Sequence, residues 1–169
     1  MTMKLLLILR HAEAVPAHPG CEDFVRPLTA AGTDHAVKLA HWLCASLELP
    51  DHILCSPSQR TRQTLAPLLA MRPVLDARTN FLPQLYGASP RTLTTLLDRS
   101  FAESDRVLIV GHNPGLEELA SDVLAHGERS RLGHLTASTL LVIGLAEGWP
   151  DGGGYARLTQ TISGQQLPG

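Results

Sequence analysis

The stretch KLLLILRHAE (residues 4–13) contains a continuous apolar run that ends abruptly in charge. Every residue from Leu5 to Leu9 is apolar, and Arg10 and His11 follow at once. A short run of this kind is typical of a strand that is buried on both faces, as in a parallel sheet covered by helices. The stretch therefore predicts a central strand with a guanidinium and an imidazole at its carboxyl end.

A second buried strand is predicted from Arg106 to Val110, and it ends in the same way because Gly111 and His112 follow it. Further strand candidates, which alternate with helical segments along most of the chain, are 53–55, 74–78, 139–145 and 155–162. The last two, 139–145 and 155–162, would pair as a hairpin through a turn at 152–154. This alternation predicts an α/β fold, a three-layer α/β/α sandwich with a mostly parallel central sheet.

Capping residues and prolines mark the helices. Thr29 is a suitable N-cap for a helix of about fifteen to twenty residues with an apolar stripe at three- and four-residue spacing. A second helix is expected with Pro57 or a neighbour in its first turn and an end near Ala70, and Pro67 inside it predicts a kink or an early end. The pair Ser89–Pro90 predicts the start of a third helix.

Composition narrows the class of protein. The 169 residues fit one domain, residues 1–169, and 44% hydrophobic with 18% charged residues is ordinary for a globular chain. The net charge of −2 gives no general attraction to nucleic acid or to anionic membranes. Three cysteines without a CxxC pair argue against disulfides and thiolate zinc sites, and no apolar run approaches the roughly 18 residues of a membrane span. We expect a cytoplasmic protein.

Three segments bring polar side chains to one edge of the predicted sheet. The carboxyl ends of parallel strands form the usual ligand site of an open α/β sheet, and His11 and His112 both follow such ends. The segment LCSPSQR (residues 54–60) also leaves a strand and carries Arg60 into the first turn of a helix. Each of these residues alone is more often a loop or surface residue. Their coincidence predicts a phosphate-binding pocket.

The same segments resemble the motifs of the histidine phosphatase (phosphoglycerate mutase-like) superfamily. The string LRHAE (9–13) resembles its Arg-His-Gly signature, SPSQRTRQT (56–64) is similar to its Ser-Pro-x-x-Arg-x-x-Gln-Thr segment, and GHNP (111–114) is similar to its second histidine motif. RPLT (26–29) followed by Gly32 further resembles the SixA-type phosphohistidine phosphatases. The resemblance extends over about residues 4–124.

The resemblance implies a function and a set of roles. His11 would be the nucleophile and pass through a phosphohistidine intermediate, while Arg10, Arg60 and His112 would hold the phosphoryl oxygens, and Asn113 would also bind the substrate. Neither a cofactor nor a metal is implied. The partner would be a phosphorylated protein or a small phosphorylated molecule, with no nucleic acid and no membrane. The remaining histidines lack the spacing of a zinc site; they are His18, His35, His41, His52, His126 and His134.

Two positions depart from the superfamily pattern. Ala12 stands where glycine is usual, which would restrict any close approach or positive φ there. Gln84 stands where a glutamate would supply the proton for the leaving group. A missing acid favours substrates with good leaving groups, namely phosphoramidates such as phosphohistidine, or aryl phosphates. Other acids that remain open for this role are Glu13, Asp23, Glu117 and Glu118.

Two alternatives remain at this stage. One is a small-molecule phosphomonoesterase or mutase of the same superfamily, and the other is a non-catalytic module that only binds phosphate. The segments 15–27 and 79–90 would form the rim of the pocket, and both are short for a lid. A short rim favours a large substrate. Together with the absent acid, the SixA-type resemblance implies hydrolysis of phosphohistidine in a protein.

Overall fold

A computed structural model describes residues 4–124, 128–129, 132–146 and 156–169. The described residues contain six strands: β1 (Lys4–Arg10), β2 (His52–Cys55), β3 (Thr79–Phe81), β4 (Arg106–Gly111), β5 (Thr139–Leu145) and β6 (Arg157–Ser163). They form one sheet in the order β3-β2-β4-β1-β5-β6. The two sequence-adjacent strands at the C-terminal end of the chain therefore lie together at one edge.

Most of the sheet is parallel. β1 pairs in parallel with β4, and β2 pairs in parallel with both β4 and β3. β5 runs antiparallel to β1, and β6 runs antiparallel to β5. Five of the six described strands therefore point the same way, which confirms the predicted α/β class with a mostly parallel sheet. Their carboxyl ends lie at one edge, where the candidate site is found.

Helices cover both faces of the sheet, and in the described residues these are α1 (Ala30–Ser46), α2 (Gln59–Met71), α3 (Pro90–Phe101) and α4 (Gly115–Val123). Alternate residues of β1 pack into the hydrophobic cores on the two faces of the sheet. Leu7 and Leu9 belong to the core beneath α1 and α2, whereas Leu6 and Ile8 belong to the core beneath α3 and α4. The run Leu5–Leu9 is wholly apolar because both faces of β1 are covered, as in three layers.

The predicted helix starts at Thr29 and Ser89 are confirmed. The Thr29 hydroxyl accepts a hydrogen bond from the Gly32 N–H at 2.9 Å, which satisfies a free amide in the first turn of α1. Ser89 does the same for Thr92 at 3.3 Å, and Pro90 is the first residue of α3. Pro90 is well suited to that position because its missing N–H has no partner to lose there.

Two details of α2 differ from the prediction. Pro57 lies before the helix, because Ser58 is the N-cap and Gln59 is the first helical residue. The helix also continues past Pro67 to Met71 instead of ending early. The proline removes one backbone hydrogen bond, and Leu65 before it and Leu68 after it, both buried in the core, hold α2 on either side.

The predicted strand at 74–78 is wrong. Residues Pro73–Arg78 form a 3₁₀ helix, and the strand follows as β3, Thr79–Phe81. Pro73 supplies a fixed φ and lacks an N–H, which suits the first turn of a helix, and Leu75 is the buried residue of the segment. The apolar residues of 74–78 therefore belong to a 3₁₀ helix and not to a strand.

The predicted C-terminal hairpin lies only partly within the described residues. β6 begins at Arg157 and pairs antiparallel with β5, as predicted, whereas the expected start at Tyr155 and the predicted turn at 152–154 lie outside the described residues. Two further 3₁₀ helices, Asp23–Val25 and Pro83–Leu85, lie in the segments that border the site. Over the described ranges, no helix combines the length and apolar character needed to cross a membrane.

Candidate active site

The carboxyl ends of β1 and β4 place the two predicted histidines side by side. Arg10 is aligned with Gly111 across the parallel pair, so His11 and His112 leave neighbouring strands at the same level. Their ring centroids are 5.2 Å apart, with an angle of 56° between the ring planes. The strand-end pattern therefore brings the two imidazoles together, as the sequence predicted.

His11 is held with one ring nitrogen free. Its Nδ1 lies 2.8 Å from the carbonyl oxygen of Ala12, and a carbonyl only accepts, so Nδ1 carries the hydrogen and Nε2 is the unprotonated nitrogen. Burial, together with the charges of Arg60 and Arg10, lowers the pKa of His11 to about 4, although the bond to Ala12 acts in the opposite sense. His11 is therefore neutral at pH 7 and has an available lone pair.

Ala12 fits its position without glycine. Its φ is not positive, and its side chain is buried in a small cluster with Leu28 and Ala36. The Ala12 N–H donates to the Thr64 hydroxyl at 2.9 Å, which ties the loop after β1 to α2. The departure from the superfamily glycine therefore requires no positive φ, and the alanine methyl adds a buried contact beside His11.

Two guanidinium groups flank the histidines. Arg10 donates from Nη1 to the Leu135 carbonyl at 2.7 Å. Arg60, which is only 5% exposed, donates from Nη1 to the Asp23 carbonyl at 2.6 Å and from Nη2 to the Asp23 carboxylate at 2.9 Å. Arg10 is thus held through one terminal nitrogen and Arg60 through both, and each side chain keeps further N–H groups, the Nε hydrogen among them, for an anion.

His112 is oriented by a buried serine. Its Nε2 lies 2.8 Å from the hydroxyl oxygen of Ser56, which directly follows β2 and is fully buried. Burial, with Arg60 and His11 as the next contributions, lowers the pKa of His112 to about 3. His112 is therefore neutral at pH 7, and the contact with Ser56 decides which of its nitrogens carries the hydrogen.

Unpaired buried polar atoms are concentrated at this site. In the described residues, five buried side-chain nitrogen or oxygen atoms have no hydrogen-bond partner, and four of them belong to predicted site residues: Arg10 Nε, Arg60 Nε, His112 Nδ1 and Asn113 Oδ1. Leaving such an atom unpaired costs about 1–3 kcal/mol. The three nitrogens therefore suit a ligand that accepts several hydrogen bonds, as a tetrahedral oxyanion does.

The amide of Asn113, which the sequence predicted to bind the substrate, is held by two acceptors of the protein. Its Nδ2 donates to the Glu117 carboxylate and to the Leu135 carbonyl, both at 2.9 Å, and both of these partners are acceptors, which fixes the amide orientation. No side-chain hydrogen of Asn113 remains for a phosphoryl oxygen. Its observed contacts instead tie the loop after β4 to Leu135, whose carbonyl also holds Arg10.

Glu117, in the first turn of α4, holds both Asn113 and Leu135 in place. Its carboxylate accepts from the Leu135 N–H at 3.0 Å and from Asn113, and it lies 2.9 Å from Nδ1 of His134. Burial opposes ionisation of Glu117, but these hydrogen bonds outweigh it and lower its pKa. Glu117 is therefore ionised, and its Oε2 accepts from Asn113 and Leu135 and lies beside His134.

An exposed carboxylate, Asp23, pairs with Arg60 at the solvent-facing side of the site, which we call the mouth. It accepts hydrogen bonds from Tyr86, Arg26 and Arg60, and in that order these contacts hold its pKa well below its ordinary value. Glu13, in contrast, is exposed and accepts from the Thr29 hydroxyl at 2.8 Å, at the start of α1. Of the open candidates for the acid, Asp23 and Glu117 lie at the site, and both are ionised.

Gln84 and Glu118 are both exposed. Gln84 lies in the 3₁₀ helix Pro83–Leu85 that follows β3, and two residues later Tyr86 packs edge-on against His112, with 5.4 Å between the ring centroids. The segment expected to supply an acid thus supplies an aromatic ring. The described residues contain no group of three or more histidine, cysteine, aspartate or glutamate side chains that could hold a metal ion.

Sequence reasoning missed the contacts of Ser56 and Tyr86. Both follow strands of the parallel sheet, Ser56 after β2 and Tyr86 after β3, so the strand-end rule that selected the histidines also covers them. Asp23 was named only as one of several acids. Its contact with Arg60 spans 37 residues and depends on the loop geometry, for which the sequence carries no signal.

Comparisons with known proteins agree with this geometry. A family profile described as "Histidine phosphatase superfamily (branch 1)" matches residues 6–81. An uncharacterized protein of Mycobacterium tuberculosis (strain CDC 1551 / Oshkosh) is 37% identical over 113 residues, which cover 66% of this chain and 67% of that protein.

Solved structures give the same result over nearly the whole chain. A SixA protein from Nakamurella multipartitia has a TM-score of 0.82 at 27% identity and covers 96% of each chain. The structure of the protein histidine phosphatase SixA complexed with tungstate has a TM-score of 0.79 at 25% identity, covering 95% of this chain and 97% of that one. The chain therefore belongs to the histidine phosphatase superfamily, and it is a phosphatase.

Proposed function

We propose that the protein hydrolyses phosphohistidine in a protein substrate, through a phosphoryl group carried transiently on His11. The observation that carries the proposal is the set of unpaired buried nitrogens on Arg10, Arg60 and His112 around a neutral His11. Phosphoryl transfer depends mainly on positioning and on stabilising charge, so a cradle of donors beside one nucleophile is sufficient for it. The proposed reaction uses neither a metal nor a cofactor.

The proposed reaction has two steps. Nε2 of His11 attacks the phosphorus, the bond to the leaving group breaks, and that bond's electron pair goes to the leaving group. Water then attacks the phosphorus of phospho-His11, which releases phosphate and restores the imidazole. In both steps Arg10, Arg60 and His112 hold the phosphoryl oxygens and offset the negative charge that they carry.

Ser56 has a positioning role in this proposal. If the Ser56 hydroxyl donates to Nε2 of His112 at the observed 2.8 Å, the hydrogen of the neutral ring must lie on Nδ1, the buried atom that has no partner. His112 then presents an N–H to the phosphoryl oxygens without carrying a charge. The opposite tautomer would present a lone pair, which repels them.

The choice of substrate rests on the missing acid. Asp23 and Glu117 are both held ionised, and Gln84 cannot donate a titratable proton, so an alkoxide leaving group has no proton source among them. General acid catalysis is worth about 10²–10⁴-fold for such a group. Imidazole leaves far more easily, with a pKa near 6.5. The tungstate-bound relative is a protein histidine phosphatase, which supports the same substrate class.

The rim of the site favours a protein substrate. Asp23 and Tyr86 lie in the two rim segments, 15–27 and 79–90, and both are exposed, so a protein surface could reach them. All three cysteines are free, which is consistent with the reducing cytoplasm. The proposal therefore includes a cytoplasmic location for this protein and a role in signal transduction that uses phosphohistidine.

The test is phosphate release from a phosphohistidine-carrying protein, from p-nitrophenyl phosphate and from sugar phosphates. Wild type is compared with His11→Ala and with His41→Ala, an exposed histidine on α1 that serves as the matched control. The proposal requires the phosphohistidine protein to have the highest kcat/KM and only His11→Ala to abolish it. Faster turnover of sugar phosphates would favour the small-molecule phosphatase or mutase, and binding without His11-dependent turnover would favour the phosphate-binding module.

A further inference from the structure

Two aromatic rings stand at the mouth of the pocket. Phe24 and Tyr86 are each 38% exposed, although large apolar side chains are usually buried. Their rings pack edge-to-face with centroids 5.1 Å apart, and Tyr86 packs in the same way on His112. The apolar pair is therefore continuous with the imidazoles of the site and open to solvent on its outer side.

The hydroxyl of Tyr86 has a fixed orientation. It donates its hydrogen to the Asp23 carboxylate, whose two oxygens also accept from Nε and Nη2 of Arg26 and from Nη2 of Arg60. Asp23 thus has four donors, which is the full capacity of a carboxylate. Because the only hydrogen of the hydroxyl is committed to Asp23, the Tyr86 oxygen acts only as an acceptor toward other groups. Arg60 is one donor to it, and one lone pair is left for a further donor.

The location of this acceptor matches the expected position of the leaving group. In an in-line transfer the leaving group lies opposite the nucleophile, so it faces away from His11 and toward the mouth. Arg60, which would hold the phosphoryl group, lies beside Asp23 and Tyr86. It pairs with Asp23 at 2.9 Å, and its guanidinium carbon is 5.9 Å from the centroid of the Tyr86 ring. A leaving group on a phosphoryl bound at Arg60 would therefore meet Tyr86.

Building on the proposed function, we propose that Tyr86 and Phe24 form a leaving-group site for a protonated imidazole, whose ring N–H donates to the Tyr86 hydroxyl oxygen. A phosphohistidine side chain carries the phosphoryl group on one nitrogen and, when protonated, a hydrogen on the other. Such a cationic ring also packs favourably on aromatic faces. An alkyl phosphate offers neither the ring nor the N–H.

This site accounts for how the enzyme dispenses with an acid. Nε2 of His11 forms a bond to phosphorus, the bond between phosphorus and the substrate nitrogen breaks, and the electron pair remains on that nitrogen. The proton on the other ring nitrogen stays in place throughout, so the product leaves as neutral imidazole. Tyr86 binds that N–H and favours the protonated substrate, which is the form with the better leaving group.

The test compares kcat/KM for a phosphohistidine peptide and for p-nitrophenyl phosphate, whose leaving group has a ring but no N–H. Tyr86→Phe keeps the ring and removes the acceptor; we expect a loss of about 10- to 100-fold on the phosphohistidine peptide, as for a hydrogen bond to a charged group, and less than about 2-fold on p-nitrophenyl phosphate. Tyr86→Ala should lower both. Val74→Ala, an exposed apolar residue in the 3₁₀ helix before β3, is the control and should change neither.

Equal effects of Tyr86→Phe on the two substrates would overturn the proposal, because a change transmitted through Asp23 to Arg60 would weaken phosphoryl binding for both. No effect on either substrate would overturn it as well. In both cases His11-dependent turnover of phosphohistidine by the wild type would leave the proposed function intact. If the wild type fails to hydrolyse phosphohistidine, the proposed function and the leaving-group site are both refuted.

Discussion

Replacing Ser56 with alanine tests how the site controls the hydrogen on His112. The substitution removes one buried hydroxyl whose oxygen lies 2.8 Å from Nε2 of His112, and it changes little else in volume. Without that donor, Nε2 of His112 lacks a partner, and the ring can shift its hydrogen from Nδ1 to Nε2. We expect Ser56→Ala to lose activity chiefly in kcat, because His112 would then present a lone pair to the phosphoryl group.

The magnitude follows from the contacts. An unpaired buried polar atom costs about 1–3 kcal/mol, and each 1.4 kcal/mol corresponds to tenfold in rate. We therefore expect kcat to fall by about 10- to 100-fold, with a loss of about 1–3 kcal/mol in the free energy of unfolding. Ser100→Ala is the matched control, since Ser100 is a buried serine that donates to the Leu96 carbonyl at 3.0 Å and lies near the end of α3, before the amino end of β4, whereas the site lies at the carboxyl end of that strand.

The assay combines steady-state kinetics with ¹⁵N NMR of the histidine rings, which reports directly which nitrogen carries the hydrogen. The reasoning requires His112 in the wild type to be the Nδ1–H tautomer and the Ser56→Ala variant to lose that preference. A wild-type His112 protonated on Nε2 would refute it. So would a Ser56→Ala variant with unchanged kcat and a destabilisation equal to that of Ser100→Ala.

Other predictions follow from the arginines, the pKa values and Glu117. Arg60→Lys should lower kcat/KM by at least about 10²-fold, because lysine cannot form the fork that holds Asp23 and the phosphoryl group, whereas Arg62→Lys, on the exposed side of α2, should have little effect. The acid limb of kcat/KM should lie near the His11 pKa of about 4, and a limb at 6.5 would contradict this expectation. The free energy of unfolding should fall as pH drops from about 6.5 to about 4, because the unfolded chain binds the proton before the folded chain does. Glu117→Gln should lower kcat by about tenfold by loosening the carbonyl of Leu135 on Arg10, and an unchanged kcat would refute that positioning role.

The layout of the sheet was predictable because it depends on local apolar runs. β1 and β4 each contain a short apolar run, Leu5–Leu9 and Val107–Val110, that is soon followed by polar residues, so both the strands and their functional ends can be identified from sequence. The segment Pro73–Arg78 shows the limit of this reasoning. Its apolar residues suggest a strand, yet only the buried contact of Leu75 and the conformation set by Pro73 determine the 3₁₀ helix.

The basic part of the site was predictable, and its rim was not. Arg10, His11, Arg60 and His112 follow strand ends or begin a helix, and the sheet fixes where such positions lie. The contact between Tyr86 and Asp23 joins residues that are 63 positions apart, on two loops whose paths no local pattern reveals. Asn113 illustrates the same limit, since its amide is directed by Glu117 and Leu135 rather than by its own motif.

The central claim is that His11 carries the phosphoryl group, and trapping that intermediate tests it most directly. Enzyme is mixed with phosphohistidine-carrying protein, quenched in alkali within one turnover, and digested for mass spectrometry, with His11→Ala and the exposed His41→Ala in parallel. Our account predicts an acid-labile, alkali-stable phosphate on the peptide that contains His11, in the wild type and in His41→Ala. Turnover without such a label, or a label on His112 instead, would contradict it.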